Sequence, residues 1–509
     1  MALRLASPGI SVREVDLTRG GVDFTLNVVG GLAAPFAKGP CNEITRVNNE
    51  NDLVEIFGKP GVGTTDYHYE TWYAASNFLS YGGKLDIVRC VGGDLNTANA
   101  AVGSASITLL LEGLEDYNNN QADDTTWYFA AKNPGHWSEN VKVAIIDNAA
   151  DQIITPTLED GTIAATKVGF GVTQALTGNT IGVGTVTAAS GILKGVITGK
   201  TATTIDVKVV STVIDGTETL VEYQQNSQFE FKTGETLNIV NNSGTTSAFG
   251  STITSADWYN SQNILTSVAD GGSDFATVTW RSVLNKPKTN NYVSRRDGTN
   301  DALHVVVIDA GGGVTGDVGS VLEKFPNLSK AKDGVASGNE SIYYKDYLAN
   351  NSEYIFSGQH VTAADDAHHG TLVLPGGFTT GFTSITSAEG SWGQDAKNIK
   401  FSSIGNQGYS LTGGLDYTGV GVYNAPLGDI LTSYDKFADP IDSDIRFLLQ
   451  GGCSGSKEEE QAKANKLIQL AEGRKDCVAV ISPNRGSVVN VTDSATQLSN
   501  VLSFFGPLT

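Results

Sequence analysis

Apolar residues recur in several rhythms along the chain, and each rhythm predicts a different element. In the first 22 residues the period is two: Ile10 and Val12 alternate with Ser11 and Arg13, then Val15 and Leu17 with Glu14 and Asp16. The alternation slips by one residue between the pairs, which predicts a bulge or a change of face in an extended arm. Such a strand must satisfy its backbone either within its own subunit or by adding to another sheet, and the pattern leaves both open. From Val28 to Gly93 the text becomes α/β. VGGLAAPFAKGP gives a first strand and turn, Asn51–Phe57 a short helix ending at Gly58 ahead of Pro60. Tyr69, Trp72, Tyr73, Ser76 and Leu79 recur at helical spacing and stop at Gly82-Gly83, and KLDIVRCV reads as a buried strand.

From Asp94 to about Gly272 short alternating runs dominate, at Val141–Ile146, Ile192–Ile197, Thr204–Val210 and Phe229–Phe231, broken by Asp160-Gly161 and Asp215-Gly216. This reads as an inserted, outward-facing β-rich region. LHVVVIDA, Leu303 to Ala310, is a buried strand; Val318–Phe325 and Tyr343–Ala349 read as short helices, and Gly358–Gly390 as a polar loop. The last third holds a strand at Ile445–Gln450, a helix at Ser456–Gly473 with a Ser456/Glu459 capping box, and a strand at Cys477–Ser482. The expectation is a mixed α/β (α+β) multidomain chain: layered α/β core domains, an inserted β-rich domain and an extended N-terminal arm. Its divisions are 1–22 (arm), 23–93 (α/β, first part), 94–272 (insertion), 273–380 (α/β, second part) and 381–509 (second α/β domain).

Composition narrows the function. The chain of 509 residues is 40% hydrophobic and 17% charged, which suits folded domains, about three of them at roughly 150 residues each. A formal charge of −21 argues against non-specific nucleic-acid binding or docking on anionic lipid. The 59 glycines against 13 prolines favour many tight turns. Cys41, Cys90, Cys453 and Cys477 never fall as CxxC, so buried thiols in a reducing cytoplasm are expected. No segment reads as a signal peptide or a membrane span, and the expectation is a protein made and soluble in a cytoplasm.

Candidate chemistry is sparse. Gly311, Gly313 and Gly316 form a GxGxxG after a buried strand, but Asp309 and Ala310 intervene and Pro326 would end the following helix early. His360, Asp365, Asp366, His368 and His369 cluster without any recognised metal-ligand spacing. Glu458–Glu460 suit a helix N-terminus, Asp435, Asp439, Asp442 and Asp444 spread over turns, and Gly452-Cys453-Ser454-Gly455 lacks nucleophile-elbow spacing. No catalytic, cofactor-binding or metal residue is assigned, and no enzyme activity is expected.

Six segments in order resemble one family. SPGISVREVDLT, VGGLAAPFAKGPCNEITRVNNENDLVEIFGKPG with FLSYGGKLDIVRCV, AKNPGHWSENVKVAIID, LHVVVIDAGGGVTGDVGSVLEKF, LTGGLDYTG and CVAVISPNR are similar to stretches of the tail sheath proteins of contractile-tailed bacteriophages. The insertion carries no such resemblance. The likeness implies a structural subunit that stacks in hexameric rings around a tail tube and contracts to drive the tube through the host envelope. It implies that the arm, with Ile10, Val12, Val15 and Leu17, joins neighbouring copies. The implied partners are copies of itself, the tail tube protein, and baseplate and tail terminator proteins, with no direct nucleic acid and no membrane. No cofactor is implied, and the place is the virion tail after assembly in the host cytoplasm. Family members close with a further domain and a C-terminal arm, whereas this text stops at VLSFFGPLT, so a truncated or short form is expected. The alternatives are an exported surface-layer or adhesin-like β protein, suggested by the middle third, and a dinucleotide-dependent enzyme, suggested by the glycine loop alone.

Overall fold

A computed structural model describes residues 28–60, 68–92, 97–103, 108–121, 126–139, 141–156, 163, 166–176, 191–241, 244–250, 252–265, 278–361, 391–417 and 425–508. The chain divides into two compact units, residues 1–92 with 417–509 and residues 93–416. Both mix helix and sheet, as the patterning predicts.

The first unit is a layered α/β fold. Its five-stranded sheet runs in the order Ile44–Val47, Lys84–Arg89, Val29–Ala34, Phe447–Leu449, Val478–Val480. All neighbours are parallel except the antiparallel Ile44–Val47 edge. The central strand is buried along its whole length, because helices cover both sides of a parallel sheet. Leu32, Ala34, Leu85 and Ile87 face Leu53, Phe57, Trp72 and Leu79 of helices Glu50–Phe57 and His68–Ser80. Val29, Ala33, Val88 and Leu448 face Ile430, Tyr434, Leu467 and Leu470 of helices Leu427–Tyr434 and Lys457–Arg474.

Two glycines make this packing possible. A Cβ on Gly30 would lie 2.9 Å from the Phe78 ring, and one on Gly31 would lie 3.0 Å from Ile445 Cδ1. Helix ends follow local chemistry. Asn49 accepts from the Asp52 N–H, Gly58 closes the same helix at φ 85°, and the Ser456/Glu459 capping box is formed in full. Buried charges are satisfied: Arg89 donates to the carbonyls of Phe36 and Gly39 at 2.8 and 2.9 Å, and Arg46 clamps Asp86 at 2.7 and 2.9 Å. Cys41 and Cys90 are buried, whereas Cys453 and Cys477 are only half-buried. Burial pushes the Cys90 and Cys453 thiols up to about 12.

The second unit holds two main sheets. In one, Ser320–Ser329, Ala302–Asp309, Val141–Asp147 and Asn406–Ser410 pair antiparallel in that order. The strand Ala302–Asp309 is buried on both faces, with Leu303, Val305 and Val307 in one core and Val306 and Ile308 in another. The other sheet has eight strands, built from residues 152–257 around Ile154, Val172, Leu193, Ile205, Phe231 and Leu237. Asp215 and Gly216, at φ 49° and 78°, make the predicted tight hairpin between Ile205–Ile214 and Thr217–Leu220. Asp160-Gly161 lies outside the described residues.

Two sequence expectations fail here. Val318–Phe325 is no helix: Ser320–Ser329 is a strand against Ala302–Asp309. Its register skips at Pro326-Asn327, where proline has no N–H to donate and Asn327 takes φ 52° while giving its own N–H to His304 Nδ1 at 2.9 Å. Phe229–Phe231 belongs to no strand. The Gln152 amide takes the strand partner's place, accepting from Phe231 N at 2.8 Å and donating to Phe231 O at 3.1 Å, and Gln174 does the same for Lys232.

Deep in the second unit, Lys330 Nζ meets Asp147 Oδ2 at 2.7 Å with neither side chain exposed. Lys330 also donates to the carbonyls of Asn300 and Ser402, and Asp147 accepts from the N–H groups of Ile404 and Gly405. Every charge in the pair is therefore neutralised or hydrogen-bonded. Lys330→Met should cost about 3–5 kcal/mol, because it strands the Asp147 carboxylate. Urea unfolding followed by tryptophan fluorescence should show the loss, and adding Asp147→Asn should recover part of it.

Candidate assembly surfaces

The predicted arm residues Ile10, Val12, Val15 and Leu17 lie outside the described residues, as do Asp365, Asp366, His368 and His369. His360 is described, and its Nδ1 lies 2.9 Å from the Tyr344 hydroxyl, an aromatic packing role. Among the described residues no group of His, Cys, Asp or Glu is placed to hold a metal ion, and no helix is long and apolar enough to cross a membrane.

The glycine loop has a structural job. It joins the antiparallel strands Ala302–Asp309 and Ser320–Ser329, so no helix follows it and no helix N-terminus faces its amides. Asp309 Oδ2 already accepts from Val314 N, Thr315 N and Thr315 Oγ1 at 3.0, 2.7 and 2.9 Å. The strand-turn-helix geometry that a dinucleotide reading of Gly311, Gly313 and Gly316 needs is not formed.

What the first unit presents instead is unfinished surface. The outer side of strand Val478–Val480 pairs with no other strand among the described residues. Val478 and Val480 are exposed, and beyond them Val488, Val489, Leu498, Leu502 and Phe505 are exposed as well. Those seven are half of the fourteen large apolar residues exposed anywhere in the described chain, so apolar exposure concentrates in residues 478–505. Helix Ser494–Phe505 is capped by Asp493, anchored by buried Phe504, and turns Leu498, Leu502 and Phe505 outward at helical spacing. A loop at residues 438–444 projects Ile441, 89% exposed, between exposed Asp439, Asp442 and Asp444. Its base is tied down by Arg474, which donates to the carbonyls of Phe437 and Ser443 at 2.7 Å each and to that of Asp439 at 3.3 Å.

The second unit carries the opposite charge in one place. A cavity of about 690 Å³ is lined by Arg281, Lys286, Lys288, Asn290 and His304 among others. It shares Asn290, Asn291 and Asn327 with a second cavity of about 530 Å³ that reaches Arg295 and Arg296. Sequence reading missed this cleft, although RSVLNKPKTNNYVSRR, residues 281–296, holds five cations and no acid and could have signalled it. Nearby, burial pushes the Asp151 carboxyl up, but Lys208 and Lys286 outweigh burial and hold it below the usual range. Burial likewise lowers Lys208 to about 8.

Comparison with known proteins bears on what these surfaces belong to. The chain is 24% identical over 514 residues to the tail sheath protein of Enterobacteria phage T4, a match covering 96% of this chain and 63% of that one. It is 36% identical over 99 residues to the tail sheath protein of Vibrio phage KVP40, covering 19% of this chain and 14% of that one. The chain is similar to phage tail sheath proteins. It spans about three-fifths of the T4 relative's length and a smaller share of the KVP40 one. No protein-family model matches it. Solved sheath tail proteins from Listeria innocua and Desulfitobacterium hafniense align with 90% and 94% of this chain and with 48% and 57% of theirs. Their identities are 8% and 10% and their TM-scores 0.28 and 0.26, so the resemblance rests on sequence.

His304, on the cleft floor, gives a pH handle. Its Nδ1 accepts from Asn327 N–H, which leaves Nε2–H to donate to Asn285 O at 2.6 Å and fixes the neutral ring. Burial lowers its pKa below the ordinary value. The unfolded chain therefore binds the proton more readily, and stability should fall as pH drops through about 6.5. Thermal melts from pH 8 to 5 should show that slope, and His304→Gln should flatten it.

Proposed function

We propose that this chain is a structural tail sheath subunit that polymerises as stacked hexameric rings around a phage tail tube and contracts during genome delivery. The observation that carries the reading is the sequence match to a tail sheath protein across almost the whole chain. The open sheet edge and the apolar strip at residues 478–505 support it, since both are surfaces that a neighbour would cover. In this reading the arm of one copy, through Ile10, Val12, Val15 and Leu17, adds a strand to the exposed edge at Val478–Val480 of another. Each backbone hydrogen bond so gained contributes about 0.5–1.5 kcal/mol net, so a short strand can hold two rings together while the folded units move.

Contraction then needs no chemical fuel. Subunits assemble into an extended lattice held above a lower-energy contracted one, and release of that difference drives the tube. The division into an arm (1–22), a first α/β part (23–93), a β-rich outward lobe (94–272), a second α/β part (273–380) and a second α/β domain (381–509) belongs to this proposal. So do the tail tube, baseplate and tail terminator as partners and the virion, after assembly in the host cytoplasm, as the location.

Deleting residues 1–18 in the phage should leave melting temperature and circular dichroism of the purified subunit unchanged. Electron microscopy of the tails should then show tubes without continuous sheath. Normal sheaths from the deleted protein would refute the role given to the arm.

A further inference from the structure

The basic cleft of the second unit faces solvent in a chain whose overall charge is −21, so it needs an explanation beyond the fold. Two of its five cations have settled partners. Lys286 meets Asp151 at 2.8 Å and Arg296 lies 3.5 Å from the centre of the Tyr292 ring. Arg281 gives one guanidinium nitrogen to Asn285 at 2.8 Å. Lys288 and Arg295 are exposed, and neither forms an ion pair among the described residues. His304 below them is held neutral, so it adds no charge of its own. Three cations, Arg281, Lys288 and Arg295, therefore point their charge at whatever fills the groove, and amide side chains line the floor between them.

We infer that the groove receives the acidic loop 438–444 of a second copy of this chain. The loop brings Asp439, Asp442 and Asp444 to a groove with three available cations, and its exposed Ile441 supplies an apolar contact between them. Asp444 is the least available of the three, since it lies 3.1 Å from Arg446. The loop is pre-shaped: Arg474 holds its base, and Asp439 Oδ1 accepts from Ile441 N–H at 2.8 Å. Little ordering entropy is left to lose on docking. Complementary charge of this kind steers encounter and fixes register more than it adds affinity, which suits a contact repeated many times in a lattice. Groove and loop are different surfaces of one chain, so a pairing that is not closed as a reciprocal two-fold dimer runs head-to-tail and propagates into rings or helices. The inference rests on the sheath reading, to which it adds a specific interface.

The test mixes full chain of natural isotope content with ¹⁵N-labelled chain at low salt. Carbodiimide, a zero-length linker of amines to carboxylates, is added and the linked peptides are identified by mass spectrometry. Mixed-isotope peptides joining Lys288 to Asp439 or Asp442 are expected. The Arg281→Glu, Arg295→Glu double variant, which keeps the Lys288 amine, should lower their yield, and that of tubular polymers formed on tail tubes, by at least tenfold. Polymer yield should return when the same chain also carries Asp439→Lys and Asp442→Lys. Matching circular dichroism and melting of all variants excludes misfolding. Absence of mixed-isotope links at the loop overturns the interface, as does cross-linking of Lys288 only to other acids. So does single-stranded DNA binding that the Glu variants abolish, which would make the cleft a nucleic-acid groove. If wild-type chain sheathes tubes while the charge reversals change nothing, the interface fails and the sheath reading stands. If wild-type chain never sheathes tubes, the sheath reading fails, and the cross-links still decide the contact.

Discussion

The first unit depends on one strand. Val29–Ala34 pairs in parallel with Lys84–Arg89 on one side and with Phe447–Leu449 on the other, so residues from both ends of the chain close on it. Parallel pairing on both edges requires helical cover on both faces, and Gly30 with Gly31 lets Phe78 and Ile445 approach from opposite sides. Residues 93–416 lie in sequence between strands of this sheet and belong to a second compact unit.

The second unit solves the same closure problem with charge. Asp147 ends one sheet strand, Lys330 follows another, and their buried contact collects the backbone at Asn300, Ser402, Ile404 and Gly405. Removing both charges would cost less than removing one, because the desolvation penalty falls on whichever partner is left alone. The pair thus binds sequence-distant segments without leaving an unsatisfied group, while the bulge at Pro326-Asn327 fixes His304 in the cleft through the Asn327 N–H.

Local chemistry made much of this legible from sequence. The helices at Glu50–Phe57 and Lys457–Arg474 were marked by their caps, the strand Lys84–Arg89 by Leu85, Ile87 and Val88 following the Gly82-Gly83 stop, and the 215–216 hairpin by residues that tolerate positive φ. Where long-range partners decide, the text misleads. Val318, Val321, Leu322 and Phe325 have the spacing of a helix face, yet pairing with Ala302–Asp309 draws that segment into a strand. Nothing local reveals that Gln152 and Gln174 will stand in for a strand beside Phe231 and Lys232, nor that Lys330 will find Asp147. The candidate surfaces divide likewise: the cations of residues 281–296 are visible as text, but only folding turns them into a groove, and the open edge at Val478–Val480 is a property of sheet order.

The split origin of the first sheet also bears on how the protein is made. Between the ribosome's completion of residue 89 and of residue 449, roughly 20–70 s pass at synthesis rates of about 5–20 residues per second. For that interval the nascent sheet lacks its Phe447–Leu449 partner, and Val29–Ala34 offers a bare hydrogen-bonding edge to any other nascent chain. Crowded polysomes translating this message would therefore depend on a holding chaperone, or on early folding of the intervening unit, to keep half-built sheets apart until the last strands emerge.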